Sequence, residues 1–433
     1  EWSQYLGMPL CDVPSPSGAA GESYADHFLQ GLKDSCTALH IDVEFVLSHP
    51  KYRSGWYVPA IELCLGHIPE IKQALESISN RKLDEHWTPV QILEGGRLKN
   101  RQFVSIDTTA KTVQYIDKDG AEQAANYEKG EVKLDWRLDW PARWWQLQIH
   151  AEPFGREHAS AGGSYDTGVQ IMKDVFKTDP PLPVAYDSIH MVGDTKKMSA
   201  SKGTAISALE GAQIMPAEVI RYFIFRSPLN RPIYFDPVEG VVQLMDDFAA
   251  LTAKPEKSAS EEQLLYLSMR GIEQQTVSRV PFSHLVASYQ SALKDVDKTI
   301  DVISRTEHAD AAREDADIIR EELKFIDQWL KLRAPEDVKF ELRRELSDAG
   351  FTEQESIFFN LLAEKVLVAP RDADGAWFHN AIYECKNSSG LEPKAMFAAL
   401  YSLIIGKTQG PRAGWFLSIL PREWLINRLK LVS

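Results

Sequence analysis

The sequence predicts a mixed α/β fold over residues 1–250 and an all-helical region over residues 251–433. Residues 22–40 place apolar side chains at helical spacing, and residues 41–45 then alternate apolar and polar side chains as a half-buried strand does. Alternation of helix and strand is typical of α/β folds. After residue 250 the strand signal fades, and apolar residues recur at helical spacing.

The composition is that of an acidic globular protein. Its 433 residues are 44% hydrophobic, which is enough chain for two or three domains. No apolar run is long enough to span a bilayer, so we expect no membrane association. The formal net charge of −14 is unfavourable for contact with nucleic acid, although residues 407–430 hold five basic side chains and one acidic one.

The cysteines are few and far apart in the sequence: Cys11, Cys36, Cys64 and Cys385. This spacing argues against a disulfide framework and against a zinc knuckle. Free cysteines are typical of a reducing compartment, so we expect a cytoplasmic protein.

A β-rich insertion is predicted at residues 86–132, after a first α/β part at residues 1–85. Residues 103–106 and 112–116 have the composition of short strands, and Asp119-Gly120 marks a hairpin turn. We therefore expect antiparallel hairpins between two α/β segments.

The second α/β part is predicted at residues 133–250. Residues 147–154 are strand-like, Gly155 opens a turn, residues 165–176 have helical spacing, and residues 183–191 are strand-like again. This order indicates a strand–helix–strand unit.

The helical region is predicted to form a separate domain at residues 251–433. Ser260 and Thr352 each begin a capping box ahead of an apolar run, and Gly406 follows an apolar segment as a helix C-cap does.

A lysine-rich loop at residues 196–203 follows the second of these strands. It combines three lysines, two serines and Gly203, a composition that can fold over a polyphosphate through ammonium, hydroxyl and backbone donors. The alternative is a solvated surface turn, since lysine-rich loops are common.

The order of residues in this loop, Lys-Met-Ser-Ala-Ser-Lys-Gly, resembles the ATP loop of class I lysyl-tRNA synthetases. Further segments resemble the same family in the same order along nearly the whole chain: Tyr5–Leu10, Tyr52–Gly55, Lys133–Trp144, Glu152–His158, Gly162–Gly168 and Gly410–Gly414. The resemblance implies a Rossmann-like catalytic domain, incomplete at its N-terminus, followed by an all-α anticodon-binding domain. Residues 133–250 would then include the lysine and ATP loop and a stem-contact region.

The activity implied by the resemblance is ATP-dependent attachment of L-lysine to tRNA(Lys) through a lysyl-adenylate. ATP with Mg²⁺ would be a substrate, and the protein would position the reactants and stabilise charge on the phosphates. Lys197 and Lys202 are the implied catalytic residues. Ala200 stands where many class I enzymes carry a lysine, which leaves open whether Lys202 supplies that charge. The implied ATP-binding residues are Lys197, Met198, Ser199, Ser201, Lys202, Gly203, Gly155 and His158.

A lysine pocket is implied at Trp136, Glu152, His158 and Tyr186. Aromatic rings attract cations, imidazole or phenol oxygen can accept from an ammonium, and a carboxylate can supply negative charge. The alternative is structural, because Trp136 is followed at four-residue intervals by two more tryptophans, as in a buried helical stripe. A histidine such as His158 is also often a structural residue.

Contacts with tRNA are implied for the helical domain, at Arg412, Trp415 and Arg428. Single-stranded anticodon bases are recognised by stacking and by hydrogen bonds to their edges. The alternative is that Trp415 and Trp424 belong to the core.

One element of class I synthetases, His-x-Gly-His or His-x-Gly-Asn, is missing from this sequence. Gly66-His67-Ile68-Pro69 carries proline where glycine is required and lies within a helical pattern. We therefore expect a chain truncated at its N-terminus, with little or no adenylation activity of its own. Zinc elements of the family would fall in residues 86–132, which hold no cysteine, so no structural zinc and no metal ligands are predicted.

Two other functions remain open from the sequence. Another class I synthetase is possible in principle, but a cysteinyl enzyme needs zinc-binding thiols and a glutamyl enzyme needs a cationic pocket. A non-catalytic tRNA-binding relative that lacks the first ATP motif is the third hypothesis, and it does not explain the lysine-rich loop. The expected partners are tRNA(Lys), L-lysine and ATP, with no membrane and a monomeric state.

Overall fold

The computed structural model describes residues 2–79, 82–193, 206–336, 338–343, 350–371 and 373–431. The strands are β1 (Val90–Glu94), β2 (Arg97–Lys99), β3 (Gln102–Asp107), β4 (Thr112–Ile116), β5 (Glu122–Asn126), β6 (Val132–Leu134), β7 (Ala151–Gly155), β8 (Leu182–Tyr186), β9 (Ile189–Met191) and β10 (Ile233–Phe235). The helices up to residue 253 are α1 (Tyr24–Ala38), α2 (Ser48–Arg53), α3 (Val58–Gly66), α4 (Ile68–Ser79), α5 (Trp136–Leu147), α6 (Ser164–Ile171), α7 (Ala208–Ile214), α8 (Ala217–Phe225) and α9 (Glu239–Ala253).

Beyond residue 253 the described residues are helical or irregular. The helices are α10 (Ala259–Met269), α11 (Phe282–Ser291), α12 (Val296–Ile303), α13 (Ala309–Glu314), α14 (Ala316–Leu332), α15 (Glu353–Leu367), α16 (Gly375–Glu384), α17 (Lys386–Ser389), α18 (Pro393–Ile405), α19 (Ala413–Ile419) and α20 (Arg422–Leu429). Short 3₁₀ segments lie at Trp2–Tyr5, Leu10–Asp12 and Arg156–His158, and a π-helical turn at Met172–Phe176 extends α6.

The first predicted helix is confirmed, and the strand predicted after it is wrong. Helix α1 begins behind a capping box in which Ser23 and Asp26 exchange hydrogen bonds. Residues 41–47 form no regular strand, and Ile41 and Val43 are exposed. Alternation alone does not make a strand, because its N–H and C=O groups need a neighbouring ladder, and none lies beside this segment in the described structure.

The hairpins predicted between residues 86 and 132 are confirmed. Strands β3, β4 and β5 form an antiparallel sheet, with the turn around Asp119 and Gly120 between β4 and β5. Strand β1 pairs with β2 on one side and with β6 on the other, again antiparallel. Because β6 leads directly into α5, this second sheet sets where that helix begins.

Two pairs of parallel strands follow, and the strand predicted at residues 183–191 is divided between them. Strand β8 pairs with β7, whereas β9 pairs with β10. The strand pairing is interrupted at Asp187. Its backbone N–H donates to the carbonyl of Leu229 at 2.8 Å instead of to a neighbouring strand. Strands β7 to β10 thus form two separate two-stranded parallel sheets. A continuous Rossmann sheet stays a prediction.

The helical half contains the local signals that the sequence predicted, with one shift. Thr352 caps α15 in a capping box, and Gly406 ends α18 with φ +71°. Helix α10 is capped by Ser258 with Glu261 and not by Ser260, so that prediction was two residues late. No helix in the described ranges has the length and apolar character that crossing a membrane requires.

The buried apolar side chains form three clusters along the chain. One lies within residues 52–176, one within residues 214–334 and one within residues 287–429. The second cluster joins residues on both sides of the domain boundary predicted at residue 250, for example Phe248 and Phe282. The boundaries themselves stay predictions.

Helices α5 and α6 pack closely against each other in the first cluster. Trp144 of α5 is 1% exposed, and its ring lies against Gly168 of α6. A Cβ on Gly168 would approach the Trp144 ring carbons to 2.7 and 2.8 Å, which is below contact distance. Glycine is therefore required there by packing and not by backbone conformation.

Replacing Gly168 by alanine should destabilise the protein by about 1–3 kcal/mol, because the buried Trp144 ring has to move. Thermal or urea unfolding measures this change. Gly31→Ala in α1 is the matched control, since nothing lies within 4 Å of its added Cβ, and it should be neutral or stabilising by about 0.4–1 kcal/mol. Equal stability changes for the two variants would contradict the packing argument.

Candidate functional site

The candidate site lies at the carboxyl ends of β7 and β8. In the register of this parallel pair Gly155 lies opposite Tyr186, so both strands end at the same edge. In open parallel sheets ligands bind at this edge, where loops and helix N-termini converge. The side chain of Tyr186 is 45% exposed there. Gly155 leads directly into the Arg156–His158 turn.

An ion pair holds the two strand ends to the segment before β10. Arg156 Nη1 lies 3.1 Å from Asp187 Oδ2 and also donates to the carbonyl of Asn230 at 3.4 Å. Hydrogen bonds from the Ser188 N–H and from Arg156 keep the pKa of Asp187 below its usual range. Asp187 therefore stays charged near neutral pH. The pair fixes the turn that carries His158.

Helix α5 supplies the aromatic wall of the site. Asp135 caps the helix through the Arg137 N–H, so Trp136 stands at its first turn. Trp136 is 48% exposed, Trp140 is partly buried and Trp144 is 1% exposed. The stripe of tryptophans therefore runs from the core out to the surface, and only Trp144 is a fully buried core residue.

His158 lies against this wall. Its ring centroid is 6.2 Å from that of Trp136 and 5.6 Å from that of Trp140, both edge-to-face. Its Nδ1 is 2.7 Å from Oγ of Ser164, the buried first residue of α6. Gly163 allows this approach, because a Cβ there would lie 2.7 Å from the His158 carbonyl oxygen. The histidine is thus held by the start of α6.

Glu152 lies behind Trp140 rather than at the strand end. Its Oε1 accepts a 2.8 Å hydrogen bond from Trp140 Nε1, and both side chains line a cavity of about 140 Å³ with Trp56, Tyr57 and Trp144 among its other walls. Glu152 therefore orients Trp140, which in turn contacts His158. A direct contact between Glu152 and an amino acid bound beside Tyr186 stays a prediction.

The base of α5 is fixed by a buried carboxylate. Tyr52 of α2 donates a 2.6 Å hydrogen bond to Asp139 Oδ1, and Arg143 Nε lies 3.1 Å from the other oxygen. Asp139 is only 7% exposed, so its charge is matched inside the protein. Burial, and then the nearby Asp139 charge, raises the pKa of Tyr52, which remains a donor.

The lysine-rich loop lies outside the described residues. This includes Lys197, Met198, Ser199, Ser201, Lys202 and Gly203, so their predicted roles are not placed by the structure. Strand β9 leads toward the loop, and the described chain stops at Gly193 with φ +84°. The side of the sheet on which the loop lies stays a prediction.

The residues predicted to contact tRNA lie in the last two helices, apart from the strand edge. Arg412 is exposed at the start of α19. Trp415 is partly buried, and its Nε1 donates to His284 Nε2 at 3.3 Å. Burial lowers the pKa of His284 to about 3, which keeps it a neutral acceptor.

Arg428 is 5% exposed and stacks on Trp424, with its guanidinium carbon 5.1 Å from the ring centroid. Burial lowers the pKa of Arg428 as well. This placement is that of a packing residue. Of the predicted tRNA contacts, Arg412 has the exposed side chain that a direct contact needs.

Sequence reasoning missed residues that hold the site in place. Ser164, Asp139 and Trp140 each touch a predicted site residue or its helix, yet none was singled out for that role. Trp140 could have been found from its position one helical turn after Trp136. The partners of Ser164 and Asp139 come from distant parts of the chain, and no local signal marks them.

Sequence comparison with known proteins places this chain in a family. Residues 1–274 match the sequence model of the family described as tRNA synthetases class I (K). A lysine–tRNA ligase of Archaeoglobus fulgidus is 35% identical over 434 residues, covering 99% of this chain and 84% of the relative. One of Thermococcus kodakarensis is 32% identical, covering 100% of this chain and 84% of the relative.

A glutamate tRNA ligase structure from Elizabethkingia meningosepticum aligns over 96% of this chain and 90% of its own, at 9% identity and a TM-score of 0.44. That similarity is too low to support any conclusion about this chain. The match of the family model over more than half of the chain, with relatives above 30% identity, is decisive. This chain belongs to the class I (K) family of tRNA synthetases.

Proposed function

We propose that this family member serves the attachment of L-lysine to tRNA(Lys), a reaction that uses ATP with Mg²⁺ and forms a lysyl-adenylate. The observation that carries the proposal is the meeting of Trp136, His158 and the ends of β7 and β8 at one edge. Relatives named lysine–tRNA ligase, similar over the whole length of this chain, support it further. The alternatives of a glutamyl or cysteinyl enzyme find no observation in their favour.

The amino-acid side of the site would bind lysine through its methylenes and its ammonium. The exposed part of Trp136 offers an apolar wall for the methylenes, and Tyr186 offers a ring and a hydroxyl at the strand end. Arg137 covers part of the Trp136 ring, with its guanidinium carbon 4.9 Å from the centroid. The exposed part of the ring that Arg137 does not cover is therefore the part proposed to meet the substrate.

His158 is the proposed acceptor for the ammonium. With its proton on Nδ1 the ring donates to Ser164 Oγ, and Nε2 is left as an acceptor. Ser164 would hold the ring in place through Nδ1, and the proposed binding form is the tautomer in which Nε2 accepts. A protonated imidazole could not accept, so the neutral form is the binding form.

The chemistry itself would be in-line attack of the lysine carboxylate on the α-phosphorus of ATP, followed by transfer to a ribose hydroxyl of tRNA. The protein positions the reactants and offsets phosphate charge. Lys197 and Lys202 are the proposed cations, and Gly155 permits close approach of the nucleotide. Mg²⁺ would arrive with ATP. Residues 251–433 are proposed to bind the anticodon stem-loop, with Arg412 as its exposed basic contact.

Calorimetric titration of this chain with free amino acids tests the substrate. Lysine should bind in preference to arginine, glutamate and cysteine, because the edge offers aromatic walls and a neutral acceptor in place of a cation. Lysine-dependent exchange of pyrophosphate into ATP tests the separate expectation that a chain without a His-x-Gly-His or His-x-Gly-Asn element adenylates little or not at all. Preference for glutamate or cysteine would rule out the proposal.

Replacing Trp136 by alanine should weaken lysine binding by about 0.5–2 kcal/mol, or about 2–30-fold, because the aromatic wall of the proposed lysine site is lost. Trp136→Phe should lose less. The matched control is Trp2→Ala, since Trp2 is similarly exposed at 43% and contacts Tyr5 and Tyr24 instead. An equal effect of the two alanine variants on lysine affinity would contradict the role of Trp136.

Ser164→Ala should weaken lysine binding by about 1 kcal/mol, because His158 loses the hydrogen-bond partner that holds its ring in place. The effect should disappear in a His158→Ala background, since the two residues act together. Ser160→Ala, which removes an exposed hydroxyl from the same turn, is the control. Additive losses in the double variant would show that Ser164 acts independently of His158.

A further inference from the structure

Three donors of different type lie together near the start of the chain, away from the strand edge. Cys11 Sγ, a carboxylate oxygen of Asp12 and a ring nitrogen of His49 all lie within 4.8 Å of one another. Cys11 and Asp12 belong to the Leu10–Asp12 turn, and His49 to the first turn of α2. Thiol, carboxylate and imidazole form a donor set that zinc prefers.

The imidazole of His49 has one ring nitrogen without a hydrogen-bond partner among the described residues. Its Nε2 is shielded from solvent and makes no hydrogen bond within the described structure. Buried ring nitrogens are normally paired, so an unpaired one on a histidine that also approaches a thiol and a carboxylate points to a missing ligand. A metal ion would satisfy this atom directly.

The distances allow a metal after small side-chain rotations. Bond lengths of about 2.0–2.3 Å put the ligand atoms of tetrahedral zinc about 3.3–3.8 Å apart. Pairs that now lie within 4.8 Å must therefore close by about 1.5 Å at most, which rotamer adjustment of surface side chains can supply. Water would complete the fourth position.

The charges around the three donors also fit a divalent cation. Arg53 Nη2 donates to Asp12 Oδ1 at 2.6 Å, which orients the carboxylate and leaves its second oxygen for the ion. Arg53 adds one positive charge. A deprotonated Cys11 with Asp12 supplies two negative charges, and the Asp26 carboxylate lies close enough to act on Cys11 and to be acted on by His49.

We propose that Cys11, Asp12 and His49 bind one zinc ion, which joins the Leu10–Asp12 turn to α2. The site does not depend on the proposed activity. Its structural effect would reach α5, because Tyr52 of α2 holds Asp139 of that helix. The sequence did not indicate the site, since its donors come from two distant segments and no cysteine pair marks them.

The test uses the purified chain, stripped with a chelator and then exposed to Zn²⁺ alone or to Co²⁺ alone. One zinc ion should remain per chain after dialysis, and Co²⁺ should give the near-ultraviolet charge-transfer band of a thiolate ligand. Zinc should also raise the temperature of unfolding, as any ligand of the folded state does. Absence of stoichiometric zinc, or of the cobalt band, would overturn the proposal.

Cys11→Ser and His49→Gln should each weaken zinc binding by more than about 100-fold, the upper range for loss of a residue that only supports a metal ligand by a hydrogen bond. Both lie near the surface, and circular dichroism checks that each variant folds. Cys36→Ser and His150→Gln are the matched controls and should keep the metal and the cobalt band. Retention of zinc by both cluster variants, or its loss from both controls, would show that the ion binds elsewhere.

Discussion

The position of α5 is the constraint on which the site depends. Its buried end is fixed by the contact of Trp144 with Gly168, and its first turn by the hydrogen bond from Tyr52 to Asp139. These two contacts come from α6 and α2, so three helices determine where the exposed Trp136 points. Removing the partner of a buried carboxylate costs folding free energy, so the contact between Tyr52 and Asp139 resists displacement of α5.

Helix α6 also determines the position of the His158 ring. Helix α6 carries Gly168 against the buried tryptophan and Ser164 against His158. A shift of α6 would therefore move a core contact and a site contact together. Stability of the first apolar cluster and geometry of the site are coupled through one short helix.

Local signals in the sequence predicted local structure well. The capping box at Thr352, the C-cap at Gly406 and the hairpins of the insertion depend on residues close in sequence. The strand predicted at residues 41–45 failed because pairing is decided by a distant neighbour. For the same reason the burial of Arg428 and the partners of Asp139 could not be predicted, since both arise from tertiary packing.

The break at Asp187 separates two sheets that a continuous strand would have joined. Tyr186 ends a strand paired with β7, whereas the next strand is paired with β10 and leads toward the lysine-rich segment. Arg156 is bonded to Asp187 at this junction and to the carbonyl of Asn230 before β10, so one guanidinium ties the two strand pairs together. The relative placement of the two parallel strand pairs thus depends in part on the contacts of one exposed arginine side chain.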